Sequence, residues 1–80
     1  MKIPRDIGGR ELARLLGRYG YIITRQTGSH IRLTRKADID HHVTIPDHQS
    51  IRIGTLNNII KDIAQHLGKT REEVIEDIIR

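Results

Sequence analysis

The chain has 80 residues, a formal charge of +4, two tyrosines, and no Cys, Phe or Trp. A single domain of this size hides roughly 60% of the surface its unfolded chain exposes, so the core is small and must be aliphatic. The composition excludes a disulfide frame, a thiolate zinc site and a multi-ring platform for stacking single-stranded bases; with no apolar run of signal-peptide or membrane-span length, one cytoplasmic domain over residues 1–80 is expected.

In chain order, Leu12, Leu15, Leu16 and Tyr19 recur at helical spacing after a flexible Gly8-Gly9 pair and stop at Gly20, which predicts a first short helix. Tyr21 to Gln26 is rich in β-branched residues. Thr27-Gly28-Ser29 follows, and then Ile31 and Leu33 alternate with His30, Arg32 and Thr34, the pattern of a hairpin. A polar loop from about Arg35 to His41 leads to a third strand, His42-Val43-Thr44-Ile45, which Pro46 terminates because it has no N–H to give to a ladder. After a loop from Asp47 to Arg52, Leu56, Ile59, Ile60, Ile63, Ala64 and Leu67 form one helical stripe that ends at Gly68. Thr70-Arg71-Glu72-Glu73 has the form of a capping box opening a final helix with Val74, Ile75, Ile78 and Ile79.

The order is α-β-β-β-α with a helical extension over residues 69–80, an α+β fold in which helices cover one face of a three-stranded antiparallel sheet. Strand alternation then assigns side chains. With Ile31, Leu33, Val43 and Ile45 turned toward the helices, His30, Arg32, His42 and Thr44 share the open face. The apolar residues of the final helix are expected to close the core rather than to form an interface, because so small a domain has few other groups to cover its sheet.

Charge is unevenly distributed. Residues 1–36 hold nine of the fourteen Lys and Arg with only Asp6 and Glu11 as acids, whereas residues 37–80 carry net negative charge. That asymmetry favours a polyanionic partner. Arg10, Arg14 and Arg18 recur every four residues, where like charges oppose helix stability by roughly 0.2–0.5 kcal/mol per pair. A phosphate backbone explains such a row; a solvated arginine face is the other reading.

His30 stands after a glycine and a serine at a strand entry. Imidazole, with an ordinary pKa of about 6.5, suits either the removal of a proton from a 2′-hydroxyl or its delivery to a leaving 5′-oxygen. Arg32 is placed to stabilise the crowded phosphate, and Ser29 to hydrogen-bond it. A metal site built on Asp38, Asp40, His41 and His42, with His48 beyond, is the rival chemistry, although no ligand spacing such as His-Glu-x-x-His supports it. Ser29 has no visible activating base and is not read as a nucleophile.

Four pieces together resemble the HicA family of toxin–antitoxin systems: Gly9-Arg10-Glu11-Leu12 leading to Gly20-Tyr21, Gly28-Ser29-His30, Val43-Thr44-Ile45-Pro46-Asp47-His48, and Gly54-Thr55-Leu56 through Ile59-Ile60. The resemblance covers residues 8 to 68 or so and departs from the family pattern at Tyr21, commonly a phenylalanine, and in the tail from Thr70. It implies a fold like the double-stranded RNA-binding domain and ribosome-independent cleavage of messenger RNA, with His30 as the catalytic residue; the chemistry of the residues points to cleavage without a cofactor or metal. RNA contacts are then expected from Arg10, Arg14, Arg18, Arg25, Ser29, Arg32 and Lys36, and His42 and His48 are candidates for a second acid or base. The implied partners are mRNA and a HicB-type antitoxin covering the His30 surface, with no membrane. A non-catalytic double-stranded RNA-binding module on the same fold is the alternative.

Overall fold

A computed structural model describes residues 5–79; residues 1–4 and Arg80, the ends of the expected domain, lie outside it. Helix α1 spans Gly9–Leu16 and passes through a 3₁₀ turn, Gly17–Tyr19, into the strands β1 (Tyr21–Thr27), β2 (His30–Arg35) and β3 (His41–Pro46). Helices α2 (Ile53–Leu67) and α3 (Arg71–Ile78) follow. The strands form one antiparallel sheet in the order β1-β2-β3. This is the α-β-β-β-α order read from the sequence, with α3 as the added helix.

The chain's punctuation follows local physics. Gly20 takes φ +89° at the end of the 3₁₀ turn and Gly28 takes φ +55° in the two-residue hairpin turn, conformations that cost other residues a Cβ clash. α2 closes with its last carbonyls capped, as Lys69 N–H donates to the Ala64 carbonyl at 2.9 Å. At the start of α3 the capping box is reciprocal: Glu73 N–H donates to the Thr70 hydroxyl and Thr70 N–H to the Glu73 carboxylate.

The core lies between the sheet and the helices. Ile31, Leu33, Val43 and Ile45 from the sheet meet Leu12, Ala13 and Leu16 of α1, the Leu56–Ala64 stripe of α2, and Val74, Ile75 and Ile78 of α3, all buried. Each Leu, Ile or Val among them contributes about 1.5–3 kcal/mol by leaving water. The final helix therefore belongs to the core through three of its four expected residues, whereas Ile79 remains 51% exposed.

The Gly8-Gly9 pair is a point of close packing rather than a flexible lead-in. A Cβ on Gly9 would lie 2.2 Å from the Pro46 carbonyl oxygen and one on Gly8 2.8 Å from that of Gln49. Gly9 N–H also donates to the His48 carbonyl at 2.9 Å. The glycines let the start of α1 dock against the segment after β3, which fixes the helix layer beside the hairpin.

One irregularity interrupts the sheet. Ile23 pairs with Leu33 and Arg25 with Arg32, so Thr24 is an extra residue, a β-bulge in the edge strand β1. Beyond it, Arg25 and Thr27 lie on the same face as Arg32 and His30, and Gln26 on the side of Ile31.

Candidate active site

The open face of the sheet carries three cross-strand rows. Thr27, His30 and Pro46 form the row nearest the hairpin turn; Arg25, Arg32 and Thr44 the next; Ile22, Thr34 and His42 the third. Arg25, Thr27, His30, Arg32 and Thr44 line an open groove of about 150 Å³. It thus holds one imidazole, two guanidiniums and two hydroxyls, with no carboxylate.

The two arginines are directly opposite one another on neighbouring strands. Like charges in that position destabilise a sheet, by a part of the roughly 0.2–1 kcal/mol such pairs are worth. Neither guanidinium has an ion-pair or hydrogen-bond partner among the described residues. Their placement has no reward inside the fold, and it concentrates positive charge around His30. An anion of phosphate size in the groove would supply the missing counter-charge.

The other expected contacts are distributed differently. Arg10 pairs with Asp47 at 3.3 Å, and Asp47 also accepts from Gln26 at 3.1 Å. Asp47 N–H donates to the Ser29 carbonyl at 2.6 Å, so this aspartate ties α1 and the end of β3 to the hairpin turn. Arg18 donates to the Asp77 carbonyl at 2.7 Å, joining the 3₁₀ turn to α3, and Lys36 pairs with Asp40 at 3.1 Å. Arg14 is exposed, with no ion pair among the described residues. The arginine row is therefore partly structural.

His42 shares the open face with His30 but stands two rows away, opposite Thr34, about 13 Å along the strands at ordinary strand rise. Its Nδ1 is 2.8 Å from the Thr34 hydroxyl. His48 is exposed beyond β3, and neither histidine lines the groove. Thr27 and Thr44 do, and the alternation of β3 already puts Thr44 on this face; Thr27 arrives through the bulge, which leaves no mark in a hydrophobic pattern.

The Asp38–His42 cluster separates. Asp40 is held by Lys36 and by Ala37 N–H, which lower its carboxyl below the ordinary value. His41 turns to the helix side while His42, its neighbour in the strand, turns to the open side. Among the described residues no three His, Cys, Asp or Glu side chains converge as metal ligands would.

His41 enters a second polar group, at the far end of the helix side. Its Nδ1 is 2.7 Å from the Tyr21 hydroxyl and its Nε2 is 3.2 Å from Asp62. The ring thus bridges the Tyr21 hydroxyl and the Asp62 carboxylate, and its tautomer sets the direction of each hydrogen bond. The ring stacks on His66 at 4.2 Å, and Arg35 lies 3.4 Å from His66 Nε2 while its Nε–H donates to the Tyr19 carbonyl at 2.8 Å. Burial, against the pull of Arg35, pushes the Tyr21 hydroxyl up to about 12.

No helix among the described residues is long and apolar enough to cross a membrane. Neither the curated proteins nor the solved structures contain a significant match to the chain. A family model described as HicA toxin of bacterial toxin–antitoxin matches residues 9–64, from the start of α1 to the last turns of α2, leaving α3 beyond the match. The chain belongs to the HicA toxin family of bacterial toxin–antitoxin systems.

Proposed function

We propose that this toxin is an endoribonuclease that cleaves messenger RNA by acid–base chemistry at His30. The observation that carries the reading is the groove in which one histidine stands beside two facing arginines that have no ion-pair or hydrogen-bond partner among the described residues. RNA cleavage needs little more. The 2′-oxygen attacks the adjacent phosphorus as its proton is removed, and the bond from phosphorus to the 5′-oxygen breaks as that oxygen gains a proton. The products are a 2′,3′-cyclic phosphate and a 5′-hydroxyl. His30 carries one of these transfers and solvent water the other, and Arg25 and Arg32 stabilise the negative charge that builds on the phosphate oxygens. DNA lacks the internal nucleophile and is spared by its chemistry. Ser29, in the turn beside His30, and the exposed Arg14 extend the RNA contact. His42 and His48, outside the groove lining, are given no part in the proton transfers.

A HicB-type antitoxin covering the open face would silence the toxin by filling the groove. The test is incubation of the purified chain with RNA, with and without excess chelator, beside a His30→Ala variant. Cleavage by the native chain that persists in chelator, and RNA binding without cleavage by the variant, is the expected pair of results. Undiminished cleavage by His30→Ala would sink the reading, and binding with no cleavage by either protein would favour a double-stranded RNA-binding module.

A further inference from the structure

In an unbroken strand over Tyr21–Thr27, Arg25 would share the helix side with Ile23, and Gln26 would face the groove. The extra residue at Thr24 reverses that assignment and brings Arg25 and Thr27 to His30. Something must hold the bulge in an edge strand that has no neighbour on its other side.

The candidate is beside it, on the neighbouring strand. Thr34 on β2 is, apart from Tyr21, the single buried residue among those described whose side chain carries a polar group, and it is 2% exposed on a face that is otherwise open. Its hydroxyl is 2.8 Å from the Thr24 hydroxyl on one side and 2.8 Å from His42 Nδ1 on the other, so a hydrogen-bonded chain crosses all three strands. Thr24 Oγ1 also lies 3.5 Å from the Arg32 carbonyl oxygen, at the residue that faces Arg25. A buried hydroxyl costs stability unless it is bonded, and a valine would pack as well in a strand. Here the hydroxyl is bonded both to Thr24 in the bulge and to His42 on β3.

We propose that Thr34 is a positioning residue whose bond to Thr24 locks the β-bulge and thereby turns Arg25 onto the RNA phosphate at His30. The proposal rests on the reading of the groove as an RNA-cleaving site. Thr34 touches no substrate; it acts through Arg25.

The test measures binding of a short single-stranded RNA oligonucleotide on the His30→Ala background, where nothing is cut, as a function of salt. Arg25→Ala should reduce the slope of log affinity against log salt by about 0.7, the loss of one phosphate contact. Thr34→Val should reduce it equally, the double variant should fall no further, and Thr34→Ser should restore the slope. With His30 intact, Thr34→Val should lower kcat/KM for cleavage on the order of tenfold. A native slope in Thr34→Val, losses that add in the double variant, or an unchanged slope in Arg25→Ala would overturn the proposal. Thr24→Val, at the exposed end of the same bond, gives the same readout should Thr34→Val fail to fold. Cleavage by His30→Ala at the native rate would instead defeat the active-site reading, and the same slopes measured on a 2′-deoxy oligonucleotide, which has no internal nucleophile, then decide the lock.

Discussion

The two faces of one three-stranded sheet treat the same residue types in opposite ways. On the helix side, Arg35 donates to a backbone carbonyl and lies against His66, and His41 is held at both nitrogens by Tyr21 and Asp62. On the open side, Arg25 and Arg32 oppose one another across the strands without a carboxylate, next to His30. A cation whose bonding capacity is filled inside the molecule serves the fold. One left unfilled, at a position where it opposes stability, is available to a ligand.

The sharpest break in this comparison would come from exchanging the two histidines' fates. His30→Ala should cost cleavage on the order of 10²–10⁴-fold with no measurable change in thermal unfolding, as befits a lost general acid or base. His41→Ala should do the reverse. It strips the buried Tyr21 hydroxyl of its partner, and denaturant unfolding should show a loss of about 1–3 kcal/mol while activity per folded molecule is retained. Equal effects of the two variants on both assays would erase the distinction between the faces.

A smaller effect tests the arginines. Arg32→Ala removes a like-charge cross-strand pair, so it should raise stability by a few tenths of a kcal/mol even as it lowers RNA binding, a sign that no structural role predicts. Arg35→Ala, losing internal bonds, should lower stability.

Stability also depends on pH through His66. Burial, the stacked His41 and the neighbouring Arg35 hold His66 below its ordinary 6.5, with Asp62 opposing them. The unfolded chain then takes up a proton that the folded chain resists. Stability is full above about pH 6.5 and falls as pH drops below it, until His66 protonates in the folded state as well. Melting curves at pH 7.5 and 5.5, run at about those values, should show a drop in the native chain that shrinks in His66→Gln. The carboxyls of Asp40, Glu72 and Glu73, which are lowered by hydrogen bonds, weaken the fold only at more acid pH. An identical drop in both proteins would remove His66 from the account.

Much of the candidate site was legible because strand alternation is a local rule. Ile31, Leu33, Val43 and Ile45 announce the buried side of β2 and β3, and His30, Arg32 and Thr44 follow onto the other. The capping box at Thr70 and the glycine stop at Gly68 are equally local, since each depends on groups within one helical turn. The arginine row of α1 was a different matter. Its spacing is visible, but Asp47 and Asp77, which engage Arg10 and Arg18, come from the far side of the sheet sequence and from α3.

The sequence by itself determined the element order, the buried stripes and the company of His30 and Arg32, because periods of two and of 3.6 residues are written into neighbouring side chains. Only the tertiary structure decided which arginines are without an ion pair among the described residues, that His41 belongs to β3 and meets Tyr21, Asp62 and His66 on the helix side, that Gly8-Gly9 is a docking point, and that Arg25 joins the groove. The reason is physical: ion pairs and close backbone approaches depend on residues distant in the chain, and a bulge shifts the register of one strand against another without altering the pattern of either.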